Sequence, residues 1–314
     1  MSAANRFKKF REAQGYTQER VAEMLKTTQQ TVQRWESGKA EPNIGALRDL
    51  AMIYSTSVDD LLGRNPIASA AVTNSYFSLD GGEEHFWGHL GVRFPGDAYT
   101  RWYPITMAQA NAVELALSAV DDASPWVNVP TLNNRFLVIN FPLVKHIYLL
   151  DDAADPVEGD WNLGWDANEG YSAEVYRALD EIAWGGELED VSDTFRELID
   201  KLVSEEGLDD EEIQARVIDT IIHHADGTER RCDPDNDVLW GVVWDTEMSA
   251  TRFLELSESS EGCSAFLPWN SVRMIDMPLY KVMDAARREN EELQADEMVT
   301  DALRKARGSA KPKQ

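Results

Sequence analysis

Over the first 63 residues the apolar positions recur at helical spacing, cut at short intervals by caps and glycines. Phe7, Phe10 and Arg11 fall on a first helix that ends before Gly15. Thr17 stands where an N-cap belongs, with Arg20 rather than Glu at the third position, so the capping box of the second helix is incomplete. Val21, Ala22 and Leu25 give that helix its buried stripe. Thr28 is placed to cap a third helix from Gln29 to Ser37, which Gly38 stops in the C′ role. Pro42 and Asn43 introduce a fourth, with Ile44, Leu47, Leu50 and Ala51 apolar at helical spacing. Val58, Leu61 and Leu62 make a short fifth that ends at Gly63.

The pattern then changes. After Asn65-Pro66 the small, polar "IASAAVTNS" reads as a linker over 66–84. Beyond it, "GHLGVRFPGDAYTRWYPIT" and "RVIDTIIHHADGTERRCDPD" resemble each other: an alternating strand, a Gly/Asp turn and a second strand, the signature of a hairpin. Each is followed by an apolar stretch that could be helix or strand. "RFLVINFPLVKHIYLLDDA" and "SAFLPWNSVRMIDMPLYKV" also match, with a β run, a break at Pro or Asn, and a second run. These pairs point to two α+β modules, at 85–155 and 211–280. An acidic helical insert at 156–210 separates them. Its stripes are Val175, Tyr176, Leu179 and Ile182, then Phe195, Leu198, Ile199, Leu202 and Val203, with the charges between them on a solvated face. A helix from near Leu279 and a basic tail fill 281–314. The fold class expected is therefore multidomain: an all-α five-helix domain at 1–65, then a larger α+β region built from duplicated modules.

Two helices joined by a three- or four-residue turn, the second polar on its exposed face, form a helix-turn-helix pattern. Residues 6–63 resemble the Cro/CI-type (Xre-family) helix-turn-helix domain of phage repressors. The likeness rests on "R-x3-G-Y-T-Q-x2-V-A-x2-L", "T-T-Q-Q-T-V-Q-R-W-E-S-G-K" and "P-x4-L-x2-L-A-x2-Y". It implies that Gln29, Gln30 and Arg34 face the bases, with Thr31 and Gln33 beside them. Gln18 and the neighbourhoods of Lys26 and Lys39 then match phosphate-contacting positions, and Thr28 joins the DNA-binding set. Gln amides can pair bidentately with adenine and Arg with guanine. Val32 and Trp35 are expected to face the core. The resemblance further implies that Arg11 and Glu36 form a structural ion pair.

Charge complicates this picture. The chain carries 56 acidic and 30 basic residues, a formal net charge of -26. Residues 1–65 hold ten Lys/Arg and eight Asp/Glu, so the acidity belongs almost wholly to the remainder. Phosphate attraction acts within a Debye length of roughly 8 Å. An acidic body held away from the duplex would therefore weaken DNA binding only modestly. No apolar run is long enough to span a bilayer, no secretory h-region is visible, and Cys232 and Cys263 form no disulfide framework. A cytoplasmic location is expected.

Residues 66–314 offer little catalytic or metal chemistry. A LexA-type self-cleaving site would need a nucleophile, but Ala98 stands in the "PGDAYTRWYP" turn and no partner Lys is evident. His85 and His89 could share a helix face, though Gly88 and the aromatics between them make a helix doubtful. His223 and His224 point to opposite faces of a strand, which weakens a site with Cys232. "GDWNLGWDANEGY" lacks EF-hand spacing, and no cupin ligand pattern is present. The expectation is a non-enzymatic repressor with no cofactor or metal, which binds operator DNA in the major groove as a homodimer. The acidic region would serve dimerisation, partner binding or sensing. The alternative is an antitoxin- or immunity-like factor whose acidic body binds a protein partner and whose helix-turn-helix regulates its own operon.

Overall fold

The structure, a computed structural model, describes residues 3–54, 56, 58–62, 86–119, 125–155, 157–161, 170–186, 188, 192–248, 253–258 and 263–289. The expected linker at 66–84 and the basic tail lie outside these residues. The N-terminal part folds as α1 (Ala3–Ala13), α2 (Gln18–Met24), α3 (Gln29–Glu36), α4 (Ile44–Ile53) and α5 (Val58–Leu62). Local chemistry sets the ends. The Thr17, Thr28 and Asn43 side chains accept from the backbone N–H of Arg20, Thr31 and Ala46, satisfying amides that a helix start leaves unpaired. Gly38 stops α3 with φ of 70°, a left-handed conformation open to glycine without a Cβ penalty. Phe7, Phe10, Val21, Val32, Leu47, Leu50, Tyr54 and Leu61 pack into one core. Two residues sit at its rim. Ile44 is 58% exposed, because it opens α4 on the solvent side. Trp35 packs against the core as expected, half-buried.

The described residues of the larger region form ten strands. The first five-strand half comprises β1 (Phe86–Arg93), β2 (Arg101–Thr106), α6 (Met107–Ala119), β3 (Trp126–Pro130), β4 (Arg135–Asn140) and β5 (His146–Asp151). Helices α7 (Ala173–Ala183), α8 (Asp193–Glu206) and α9 (Asp210–Val217) follow. The second half comprises β6 (Thr220–His224), β7 (Glu229–Cys232), α10 (Asn236–Met248), β8 (Phe253–Glu258), β9 (Cys263–Pro268) and β10 (Val272–Pro278). A helix over 279–289, here α11, ends the described chain. Every strand pairing among the described residues is antiparallel. In each half the first strand pairs with both the second and the last, and the third with the fourth. A short 3-10 turn precedes each last strand, at Phe141–Leu143 and Trp269–Ser271. The stretches after the first hairpins, open from sequence, are the helices α6 and α10.

A single strand contact joins the two halves among the described residues: β4 pairs with β10, giving a five-stranded sheet of order β3-β4-β10-β6-β7. Successive side chains of a strand point to opposite faces, and the β4–β10 centre of this sheet is buried on both. Leu137, Ile139 and Met274 pack with Leu90, Val92, Tyr103, Ile105 and Val113. Phe136, Val138, Ile275 and Met277 pack with Leu239, Val242, Val243, Leu254 and Leu256 on the other side. Arg135 is buried at this seam, where its Nε donates to Asp276 and its Nη2 donates to the Asp219 and Asp276 carbonyls.

A second polar link, partly buried, joins the halves. Arg101 on β2 pairs with Asp97 and with Glu229 on β7, while Arg273 reaches Asp97 at 3.0 Å. The hydrogen bond from His223 Nδ1–H, reinforced by Arg101, pulls the Glu229 carboxyl from 4.5 down to about 2. A depressed carboxyl stabilises the fold above its unfolded pKa, and that contribution is lost as pH falls through the folded value. Glu229→Gln is therefore expected to flatten the loss of stability between pH 4.5 and about 2. Urea midpoints measured across this range check it; an unchanged slope would show that Glu229 is not linked to folding.

The acidic helices do not stand away from the N-terminal domain. α8 starts at Ser192, whose hydroxyl accepts from the Phe195 N–H and also donates to Asp49 of α4, 2.6 Å from each carboxylate oxygen. Burial pushes the Asp49 carboxyl pKa up, and the Ser192 hydrogen bond opposes that rise. Arg48 lies 3.7 Å from the buried Glu174 and 3.4 Å from Glu181. The solvated face expected for the insert is thus partly a docking face, and Glu174 is buried there beside Arg177. The expected boundary at 210 also falls at the start of α9, which packs against α7.

Candidate nucleic-acid interface

Helix α3 presents one polar face. Gln29, Gln30, Gln33 and Arg34 are exposed, while Val32, one residue before Gln33, is 1% exposed and anchors the opposite side. Thr28 is committed to the cap: its hydroxyl oxygen accepts from Thr31 N–H and lies 2.9 Å from the half-buried Thr31 hydroxyl. Lys39 is exposed just past Gly38, and its backbone N–H returns to the Arg34 carbonyl. Of the residues expected at the interface, Gln29, Gln30, Gln33 and Arg34 share the exposed face of α3, with Thr28, Thr31 and Lys39 at its ends. Gln18 lies on α2, half-buried.

A buried clasp fixes the pose of this face. Arg11 Nε donates to Glu36 Oε1 at 2.6 Å and Arg11 Nη2 to Oε2 at 3.2 Å. Arg11 Nη1 donates to the Tyr16 carbonyl, and Gln18 Nε2 donates to Glu36 Oε2 at 2.8 Å. The Glu36 hydrogen bond raises the Arg11 pKa, so the guanidinium stays charged. One carboxylate therefore ties α1, α2 and α3 together. The sequence carries no signal for the part of Gln18 in this clasp, because its partner lies 18 residues away. The remaining amide N–H on that side chain is still a donor.

Between α2 and α3 the chain turns at Lys26, with φ of 50°. Lys26 Nζ lies 3.0 Å from Glu197 on α8. Both side chains are largely exposed, so the pair contributes little stability. Its importance is positional, because it puts an acidic helix beside the turn that leads into α3. Sequence spacing could not indicate this, since the partners are 171 residues apart.

The other clusters considered from sequence hold no comparable arrangement. His85 and residues 162–169 of "GDWNLGWDANEGY" lie outside the described residues. His89 is on a strand, β1, buried edge-on to Phe86 and Trp161. His223 faces Glu229, and Cys232 is buried with Sγ 3.6 Å from the Thr220 carbonyl. Among the described residues no group of three or more His, Cys, Asp or Glu side chains is placed to hold a metal ion. No described helix is long and apolar enough to cross a membrane.

Comparison with known proteins agrees with the geometry of the N-terminal part. A family profile described as helix-turn-helix matches residues 7–61, which form a domain of the Xre/Cro-CI type. The transcriptional activator BcrR of Enterococcus faecalis is 28% identical over 92 residues, 29% of this chain and 45% of that protein. The regulator YonR, derived from the SPbeta prophage of Bacillus subtilis, is 44% identical over 57 residues, 18% of this chain and 53% of the other. The transcriptional regulator ImmR of Bacillus subtilis is 31% identical over 74 residues, 24% of this chain and 58% of the relative. The chain thus spans about half the length of the curated relatives it matches. No solved structure matches it.

Proposed function

We propose that the protein is a sequence-specific DNA-binding transcriptional regulator of the cytoplasm, acting as a dimeric repressor. The observation that carries this reading is the exposed row Gln29, Gln30, Gln33 and Arg34 on a helix whose other side is locked by Val32 and the Arg11–Glu36 clasp. Planar amides and a guanidinium on a rigid helix are suited to base edges in the major groove, while Gln18 and Lys39 flank them toward the phosphates. Repression follows from occupancy of an operator that overlaps a promoter. The activator among the relatives makes this choice a matter for experiment.

The proposed division of the chain is a DNA-binding domain at 1–65, a linker at 66–84 and two α+β modules at 85–155 and 211–280. The matching strand pairings of the two halves support duplication of one module. The acidic insert at 156–210 serves as the support on which α4 rests, and the last helix and tail occupy 281–314. The Lys26–Glu197 pair supports a further role for the insert, as an acidic neighbour that repels non-specific DNA.

Arg34→Ala tests the reading. It should lower discrimination at one base position by about 1–3 kcal/mol and leave the melting temperature unchanged, since the side chain is exposed. Titration of the full chain against matched and mismatched duplexes measures this. Equal discrimination in variant and parent would remove Arg34 from the reading set.

A further inference from the structure

The sheet orders contain an unfinished repetition. The five-stranded sheet runs β3-β4-β10-β6-β7. Replacing each strand by its counterpart in the other half gives the order β8-β9-β5-β1-β2. That sheet is present only as two separate pieces, β8-β9 and β2-β1-β5. Among the described residues no strand pairs with the outer edge of β5 or of β9.

The side chains at these edges differ in burial from their counterparts at the formed junction. Aligning the two 3-10 turns places Arg135–Asn140 on Cys263–Pro268 without a gap, and Ile147 on Ile275. Within the junction Val138 lies opposite Ile275, and both are 0% exposed. Their counterparts are Phe266, which is 60% exposed, and Ile147, which is half-buried. Open strand edges with apolar side chains are templates for further pairing. Transposing the register of the junction sets Phe266 opposite Ile147, with Leu267 facing His146 and Ala265 facing Tyr148.

These two edges are kept apart within one chain. β8 packs through Leu254 and Leu256 on the face of the five-stranded sheet that carries Phe136 and Val138. β5 packs through Ile147 and Leu149 with Leu137 and Ile139, on the opposite face. The sheet stands between them, so the complementary edge must come from another molecule. We infer that β9 of one copy pairs antiparallel with β5 of a second copy, and reciprocally, closing two chains into a dimer through two repeats of the β4–β10 junction. A head-to-tail contact either closes into a ring or propagates, and two reciprocal contacts close this one at two copies. The inference rests on the regulator reading for the use of a second copy, which would bring two reading helices to paired half-sites.

The test uses full-length chains in a Cys263→Ser background, without DNA. One preparation carries Ile147→Cys, the other Phe266→Cys, and they are mixed under mild oxidation or with a short bifunctional thiol reagent. The expected product has twice the chain mass and forms only in the mixture. Its absence from a mixture of folded variants overturns the inference, as does a bond formed only within a single chain carrying both substitutions. Sedimentation of the parent should likewise give twice the chain mass, where a single-chain mass or an open series of larger species would contradict it. Phe266→Lys, at an exposed position, should keep the circular dichroism spectrum and raise the dimer dissociation constant at least about tenfold; an unchanged constant would count against the pairing. A monomer that still recognises its operator leaves the DNA reading standing, while a cross-linked dimer that binds no DNA removes that reading and keeps the interface.

Discussion

Arg135→Ala is expected to lower the free energy of unfolding by about 3–5 kcal/mol, the cost of breaking a buried ion pair by removing one partner. Arg135 is 1% exposed and donates to the Asp276 side chain and to three carbonyls, those of Ala215, Asp219 and Asp276. Tyr103 donates to the other Asp276 oxygen at 3.1 Å. Without the guanidinium, a buried carboxylate keeps one neutral donor and the three carbonyls lose theirs. The strand that carries Arg135 is also the strand that joins the two halves, so the loss falls on the β4–β10 seam. Denaturant unfolding of the full chain, followed by tryptophan fluorescence, measures the change. A shift below about 1 kcal/mol would mean that water replaces the guanidinium and that the seam is less dry than the structure places it. A double change to apolar residues at Arg135 and Asp276 should cost less than the single one, because no uncompensated charge remains buried.

Glu36→Ala should destabilise the N-terminal domain by about 3 kcal/mol, between the loss of a charged hydrogen bond and the breaking of a fully buried pair. It also removes the acceptor shared by Arg11 and Gln18, so α1, α2 and α3 lose their common anchor. Operator binding should fall with stability, unlike in Arg34→Ala, where the fold is spared. Glu36→Gln keeps an acceptor oxygen for one donor and should recover part of both losses. Thermal melts paired with DNA titrations separate the two effects. Full operator affinity in a destabilised Glu36→Ala protein would show that the clasp holds the domain without orienting the reading face.

Features set by neighbours in sequence were legible before the structure. Thr17, Thr28 and Asn43 cap helices because a side-chain oxygen three residues upstream of an amide needs no tertiary partner. Gly38 was legible for the same reason. The Arg11–Glu36 pair entered through family resemblance, since two charges 25 residues apart carry no spacing signal of their own. Periodicity groups Ile44 with Leu47, Leu50 and Ala51, but it reports a helix face and not how far that face is covered, and Ile44 is 58% exposed. The β1–β2 and β6–β7 hairpins followed from alternation and turn residues, whereas β3 and β8 did not enter the sequence reading. The β4–β10 pairing did not, because a contact between strands more than a hundred residues apart leaves no local pattern.

The same limit hid the docking of the acidic insert. Its charges read as a solvated face, yet Glu174 is buried against Arg177 and near Arg48, and Ser192 serves both as the cap of α8 and as the donor to Asp49. One-dimensional reading assigns charge to water by default, and a carboxylate buried by a partner from another domain escapes it. Within the candidate interface, Gln18 was placed near phosphate from its position, while its hydrogen bond to Glu36 emerges only when α1, α2 and α3 are seen together.

Selection of bound duplexes from a random DNA pool, with the full-length protein at moderate salt and in parallel with Arg34→Ala, tests most directly whether α3 reads sequence. The parent should enrich one motif, repeated in two half-sites, and the variant should relax its preference at a single position of each half-site. Binding that responds only to salt, with no motif enriched by either protein, would contradict DNA reading by this helix.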